Sequence, residues 1–530
     1  MTLLEHAVNR LAPPEVEQPD VQGGRPARLR VLFLVSAHNG LSQRALAEMR
    51  ELGHEVRVAV VESAGAMEAA ADAWRPELIV CPFLKTMIPE SIWSTTRCLI
   101  VHPGPRGDRG PSSLDWAIEL DSARWGVTVL EANGEADAGT VLATREFAIR
   151  KGSKSSLYRH EVRHAAIAAL VDAIARLDQP RADVAQDTAR RPIGRTRPMM
   201  TQAVRAIDWA HDPTDTIIRK IQAGDGHPGV LDTVQGARFH LFGVHHEDHL
   251  GGDPGAIIAQ RDGAICRATV DGAVWITHLK RADNRSERYF KLPATHALAH
   301  CGCPVSVPEV GIAPAAVLPD GTYREIIYEE RRQVGYLRFE FHNGAMSTDQ
   351  CRRLHAAYRD ARSRDTRVIV LLGGKDYFSN GIHLNVIEAA EDPARESWRN
   401  LVAIDDLVAE IIATGSHFVI SALRGDAAAG GVPLALAADL VLAREDVVLN
   451  PYYRHMGGLY GSEYWTYLLP GRVEQPEAIR LTSAPFDPVG TREAVRLGLV
   501  DATFGEDLAA FEEETRRLAA GIAGDSGLAG

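Results

Sequence analysis

The sequence predicts a multidomain α/β protein: a doubly wound α/β sheet, then a small β-barrel, then a second α/β domain. Three observations carry that prediction. Short apolar runs alternate with amphipathic stretches from Leu29 to Leu130. Short strand-like segments separated by glycine turns follow between residues 237 and 280. The strand–turn–helix pattern then restarts at Gln333, after a proline-rich segment. A chain of 530 residues is long enough for two or three domains with sizeable cores.

Composition narrows the function classes. With 45% hydrophobic and 24% charged residues the chain reads as an ordinary soluble protein. A formal net charge of −12 argues against a nucleic-acid partner, which normally meets a basic face. Six cysteines are too few for a disulfide framework, so a cytoplasmic location is expected. The most apolar stretch, 417–443, is broken by Arg424, Asp426 and Asp439, which fits a buried core and predicts no membrane span.

In chain order, residues 1–28 read as an N-terminal extension. RLRVLFLVSA is a buried parallel-type strand. LSQRALAEMRELG is an amphipathic helix, with Leu41, Ala45, Met49 and Leu52 on one side and Gly53 as its stop. HEVRVAVV, a helix over Ala64–Ala73, and PELIVC continue the alternation, and the last of these runs into the loop CPFLKTMIP. No G-x-G-x-x-G follows the first strand, so a dinucleotide fingerprint is absent.

Next, an apolar strand over Cys98–Val101 ends in His102, and HPGPRGDRGP forces an irregular loop. Open α/β sheets place ligand crevices at such strand ends. A further strand covers Val127–Leu130, Asp137 lies in a tight Asp-Ala-Gly turn, and KSSLYRHEVRHAAIAALVDAIARL is a helix. These elements make a first domain over 29–180. The strands ARFHLFGV, GAIIAQ, GAICRATV and GAVWITHLK make a barrel domain over 181–300. A linker over 301–325 and a second α/β domain over 326–530 complete the layout. HHEDH at 245–249 reads as a polar hairpin tip, and the Cys-x-Cys of HALAHCGC at 296–303 is too tight for a zinc knuckle, so no metal is expected.

The strand ending in His102, the RGP segment running into a helix with Trp116, and the later Asp137 turn resemble the folate-dependent formyltransferases. That resemblance implies that His102 and Asp137 act at the carbonyl of 10-formyltetrahydrofolate. It also implies that Gln43, Pro82, Phe83, Leu84 and Lys85 line a folate cleft, with Arg109 and Gly110 of the loop as further cofactor-binding positions. The family carries Asn two residues before the His; here that residue is Ile100. Losing such a donor to a developing oxyanion costs on the order of 3 kcal/mol in other enzymes.

NGAMS at 343–347, YFSNGIHL at 377–384 and RGDAAAGGVPLALAADL at 424–440 resemble the crotonase (enoyl-CoA hydratase/isomerase) superfamily. The resemblance implies coenzyme A thioester binding, with the backbone amides of Ile382 and Gly430 aimed at the thioester oxygen. Pro433 and Tyr452 or Tyr453 stand where hydratases carry their two carboxylates, so hydration is not expected. Tyr453 and Glu463 are the candidate acid/base pair.

The two halves together are similar to the HypX/HoxX-type maturation factors of nickel–iron hydrogenases. The resemblance implies that the formyl group of 10-formyltetrahydrofolate passes to coenzyme A, and that formyl-CoA is decarbonylated to carbon monoxide and CoA. It also implies hydrogenase maturation proteins as partners and an internal tunnel between the halves. A short crotonase C-terminus favours a monomer. The alternatives are a formyltransferase for an amine acceptor, a non-catalytic folate/CoA sensor, and a formyl-folate hydrolase.

Overall fold

The computed structural model describes residues 28–177, 193–282, 289–317, 321–453 and 461–524. The N-terminal extension before Arg28, part of the connector after the first domain, and residues 454–460 of the stretch PYYRHMGGLYGSEYW lie outside them. The chain divides into two compact units. The first ends at Val244 and takes in Thr269–Asp271, and the second comprises His245–Ala268 and the chain from Gly272 onward. The division therefore falls among the short strands of the expected barrel.

The first unit is built on a six-stranded sheet of order β2-β1-β3-β4-β5-β6. Its strands are β1 (Arg30–Val35), β2 (Glu55–Val60), β3 (Leu78–Cys81), β4 (Arg97–His102), β5 (Arg124–Glu131) and β6 (Val141–Ala148). The first four pair in parallel, joined by α1 (Gly40–Glu51) and α2 (Ala64–Trp74). β4–β5 and β5–β6 are antiparallel, so the sheet is mixed and not wholly parallel. Antiparallel pairing follows from the connections: only the loop and the short α3 (Ser113–Glu119) separate β4 from β5. The expected single helix over 154–177 is interrupted by a π-turn at Tyr158–Val162 before α4 (Arg163–Ala175). Val31, Phe33, Leu99, Val127, Leu170 and their neighbours fill one face of the sheet.

After α5 (Thr214–Gly224), β7 (Val230–Val234) and β8 (Ala237–Glu247) form an antiparallel hairpin. In the second unit β9 (Ile257–Arg261), β10 (Ala264–Ala268) and β11 (Ala273–Arg281) form an antiparallel meander. The proline-rich segment is not a free tether. Gln260 N donates to Pro308 O at 3.0 Å, Val310 N to Gln260 O at 2.9 Å, and the Arg261 guanidinium to Val310 O at 2.7 Å. It therefore runs as an added edge along β9, satisfying backbone groups that an open strand would leave unpaired.

The rest of the second unit carries two sheets. The larger, of order β12-β13-β14-β16-β18-β21, comprises Ile326–Arg331, Val334–Phe339, Val368–Leu372, Phe418–Leu423, Leu440–Arg444 and Ala502–Phe504. The smaller, of order β15-β17-β19-β20, comprises Tyr377–Ser379, Asp426–Ala428, Val448–Asn450 and Val489–Gly490. The chain leaves each main-sheet strand β14, β16 and β18 to enter the small sheet. That switch sets two glycine turns side by side. α6 (Thr348–Arg362), α7 (Pro393–Ile412) and the short α8 (Gly431–Leu436) pack behind these turns around an apolar core that includes Met346, Leu407 and Val432. No helix of the described residues is long and apolar enough to cross a membrane.

Candidate active site

His102 is the last residue of β4, at the carboxyl edge of the parallel strands. Its imidazole is buried between two carboxylates. Nε2 lies 3.0 Å from Asp108 Oδ2, and Nδ1 lies 3.3 Å from Asp137 Oδ1. Burial alone lowers a histidine pKa, but the hydrogen bonds that the ring donates to Asp108 and Asp137 outweigh it and push this one up to about 9. Asp137 resists the upward push of burial and is held below the usual carboxylate range by the His102 hydrogen bond. The Gly110 amide also donates to Asp137, at 3.2 Å. The two carboxylates therefore favour the charged form of the ring, and an imidazolium in such a place is chemically able to donate a proton or to meet a developing oxyanion.

The loop geometry explains these positions. Asp137 has φ 54°, a left-handed conformation that an Asp tolerates in a turn. Gly104 lies against the ring, where a methyl group would collide with both Asp108 Oδ2 and His102 Nε2. Residues 194–197 pair with the loop: Gly194 N donates to Arg106 O at 3.0 Å, and Arg197 N to Arg109 O at 3.0 Å. That pairing buries Asp108, whose second oxygen lies 3.4 Å from Arg197 Nη1.

Strand alternation puts Ile100 on the same face of β4 as His102. There Ile100 packs with Ile79, Cys98 and Leu84, so the family's Asn position is an apolar contact in this chain. The expected cleft residues surround the ends of β1 and β3. Gln43 of α1 donates to His38 O at 3.0 Å. Pro82 is buried. The Phe83 carbonyl accepts from Ser36 N at 2.8 Å, and the Lys85 amide donates to Ser36 Oγ at 2.9 Å. The Lys85 ammonium sits 5.5 Å from the Phe83 ring centre. Arg109 is drawn to Glu135, at 2.7 Å.

In the second unit the turns at Gly381–Ile382 and Ala429–Gly430 touch. A methyl group on Gly381 would lie 3.0 Å from the Gly430 nitrogen, and one on Gly430 would collide with the Glu463 carboxylate. Ile382 is bridged to Met346, and Gly430 caps α8. Glu463 is almost fully buried, and burial pushes its pKa up to about 7. Tyr453 Oη donates to Glu463 Oε2 at 3.3 Å, and Ser462 N donates to the same oxygen at 3.1 Å. Burial, and next the Glu463 charge, hold the Tyr453 hydroxyl well above its ordinary pKa. Ile382, Gly430, Tyr453 and Glu463, separated by up to 81 positions in the chain, thus converge.

Two further groups were not read from the sequence. Asp108 sits in RGDRG, where a charged run in a glycine loop looks solvated. Asp405 belongs to an Asp-Asp pair on the polar side of α7. Its Oδ1 accepts the Glu463 amide at 2.7 Å, and burial raises its own pKa. Among the described residues no group of three or more His, Cys, Asp or Glu is gathered to hold a metal.

A formyltransferase-type strand-end histidine and a crotonase-type pair of glycine turns on one chain define a class of protein that joins a formyltransferase-like part to a crotonase-like part. Residues 199–289 match the family model "Formyl transferase, C-terminal domain", and residues 332–529 match "Enoyl-CoA hydratase/isomerase". The hydrogenase maturation factor HoxX of Bradyrhizobium diazoefficiens is 47% identical, over 94% of this chain and 86% of its own length. HypX of Aquifex aeolicus, solved in complex with tetrahydrofolic acid, is 41% identical with a TM-score of 0.88, covering 95% of this chain and 87% of that one. A methionyl-tRNA formyltransferase of Burkholderia multivorans is 24% identical, over 56% of this chain and 88% of its own length. The chain belongs to the HypX/HoxX family of hydrogenase maturation factors.

Proposed function

We propose that this chain makes carbon monoxide for the active site of a nickel–iron hydrogenase, by moving the formyl group of 10-formyltetrahydrofolate to coenzyme A and decarbonylating the resulting formyl-CoA. The observation that carries this reading is the buried Tyr453–Glu463 pair against the Gly430 turn. A crotonase-type thioester site with an acid/base group of pKa about 7 suits proton removal from a formyl carbon. Tetrahydrofolate bound to the Aquifex aeolicus relative supports folate as the formyl carrier.

In the first step the thiol sulfur bonds to the formyl carbon while the carbon–N10 bond breaks. His102 supplies a positive charge to the tetrahedral oxyanion and a proton to the departing N10; the proton lost by the thiol restores it. Gln43, Pro82, Phe83, Leu84 and Lys85 hold the pterin, with Arg109 and Gly110 beside the catalytic loop. In the second step the Ile382 and Gly430 amides bind the formyl oxygen and acidify the formyl C–H. Glu463 takes that proton as the carbon–sulfur bond breaks, carbon monoxide leaves, and the thiolate is protonated through Tyr453 or Glu463. Both sites must exclude water, because a formyl thioester hydrolyses readily.

The test is to supply 10-formyltetrahydrofolate and CoA to the full chain and identify formylated products by mass spectrometry. Formyl-CoA that accumulates in a Glu463→Gln variant supports the reading. A formylated amine, formate formed without CoA, or tight binding with no turnover would instead establish an amine formyltransferase, a hydrolase or a sensor.

A further inference from the structure

We propose that Asp108 is the positioning residue of the formyl-transfer site: it takes the Nε2 edge of His102 out of play and fixes the ring so that the transferred proton leaves from Nδ1, on the Asp137 side. The inference deepens the formyl-transfer reading above and rests on it for the identity of the proton's destination.

The two carboxylates are not equivalent. The Asp108 side chain is 1% exposed and the Asp137 side chain 18%. Asp108 is held from behind by Arg197, and its contact with the ring is the shorter one, 3.0 Å against 3.3 Å. A substrate reaching the ring on the Asp137 side therefore displaces the longer contact, to the more exposed carboxylate, and leaves the buried Asp108–Arg197 pair in place. The charged groups facing His102 are Asp108 and Asp137 themselves; Arg197 stands behind the first, and Arg109 acts on the second.

The division of labour balances. As sulfur bonds to the formyl carbon and the carbon–N10 bond breaks, Nδ1–H passes to N10. The acceptor's proton returns to Nδ1 by way of Asp137. Nε2–H stays on its hydrogen bond to Asp108 throughout. With Asn replaced by Ile100, a fixed cation is the side-chain group left to meet the oxyanion, and Asp108 keeps the ring both charged and oriented.

Two variants separate this role from a structural one. Asp108→Asn keeps the shape and removes the charge. Gly104→Ala leaves every charge in place but wedges a methyl group between Asp108 Oδ2 and His102 Nε2; Gly104 has no positive φ, so alanine carries no backbone penalty there. The primary readout is the NMR titration of His102, assigned by difference from His102→Gln, with tetrahydrofolate affinity measured alongside. Neither needs CoA or carbon monoxide, so a wrong acceptor assignment does not obscure the result. In both variants His102 should titrate at least one pH unit below the wild type with tetrahydrofolate affinity within twofold. Formyl transfer should lose at least tenfold in kcat with little change in KM. An unshifted His102 titration in Asp108→Asn, or a loss confined to folate affinity, would overturn the proposal.

Discussion

The backbone amide of Glu463 donates to Asp405 Oδ1 at 2.7 Å, so helix α7 holds the turn that presents the buried acid. Glu463 and Tyr464 are consecutive left-handed residues, with φ of 51° and 55°. Such conformations cost about 1–3 kcal/mol each and persist only where the surroundings enforce them. Asp405→Ala removes the enforcing acceptor. It should lower carbon monoxide output at least tenfold while leaving tetrahydrofolate binding within twofold, measured by gas trapping and by equilibrium binding.

Tyr453→Phe and Glu463→Gln should stop the second step and spare the first. Loss of a positioned acid/base group typically costs about 10²–10⁴ in rate. Single-turnover assays should show tetrahydrofolate forming at the wild-type rate while carbon monoxide falls a hundredfold or more with Glu463→Gln. Carbon monoxide output equal to wild type in both variants would remove these residues from the chemistry.

Glu463 also makes a stability prediction. Its pKa is raised from 4.5 to about 7 in the folded chain, so the folded state binds more protons between those values. Stability of the second unit should therefore fall as pH rises from about 4.5 to 7, and level off above. The whole effect is about 3 kcal/mol for a shift of this size. Denaturant melts of wild type and Glu463→Gln across that range should diverge, with the glutamine variant losing less on the way up.

His102 follows the same direction in a higher pH window. Its pKa is raised from 6.5 to about 9, so its ion pairs contribute fully below about 6.5 and are lost as pH climbs through 9. The formyl-transfer rate should hold to about pH 9 and then decline. In Asp137→Asn, which removes one of the two carboxylates, the decline should begin at lower pH, as a pH–rate profile will show.

Local pattern made much of this architecture legible. The β1–α1–β2 alternation, the loop after His102 and the two glycine turns are written in apolar periodicity and in Gly and Pro. The resemblance of the turns to crotonases singles out Ile382 and Gly430, and the polar-aromatic stretch offers Tyr453 and Glu463 as candidates; that Glu463 lies against Gly430 is a matter of long-range contact. Long-range contact produced what local pattern missed. Asp108 looks solvated until residues 194–197 cover it, and Asp405 reaches Glu463 across 58 positions from the polar side of an amphipathic helix. The antiparallel turn-back of β5 against β4, and the docking of the proline-rich segment on β9, likewise depend on partners that a local reading does not supply.

The most direct test of the central claim follows the formyl carbon itself. Purified protein is given CoA and 10-formyltetrahydrofolate labelled with ¹³C in the formyl group, and released gas is trapped on reduced haemoglobin. The account predicts labelled carbon monoxide, dependent on CoA and equal to the tetrahydrofolate formed. Label recovered as formate or as a stable formylated amine, with no carbon monoxide, would contradict it.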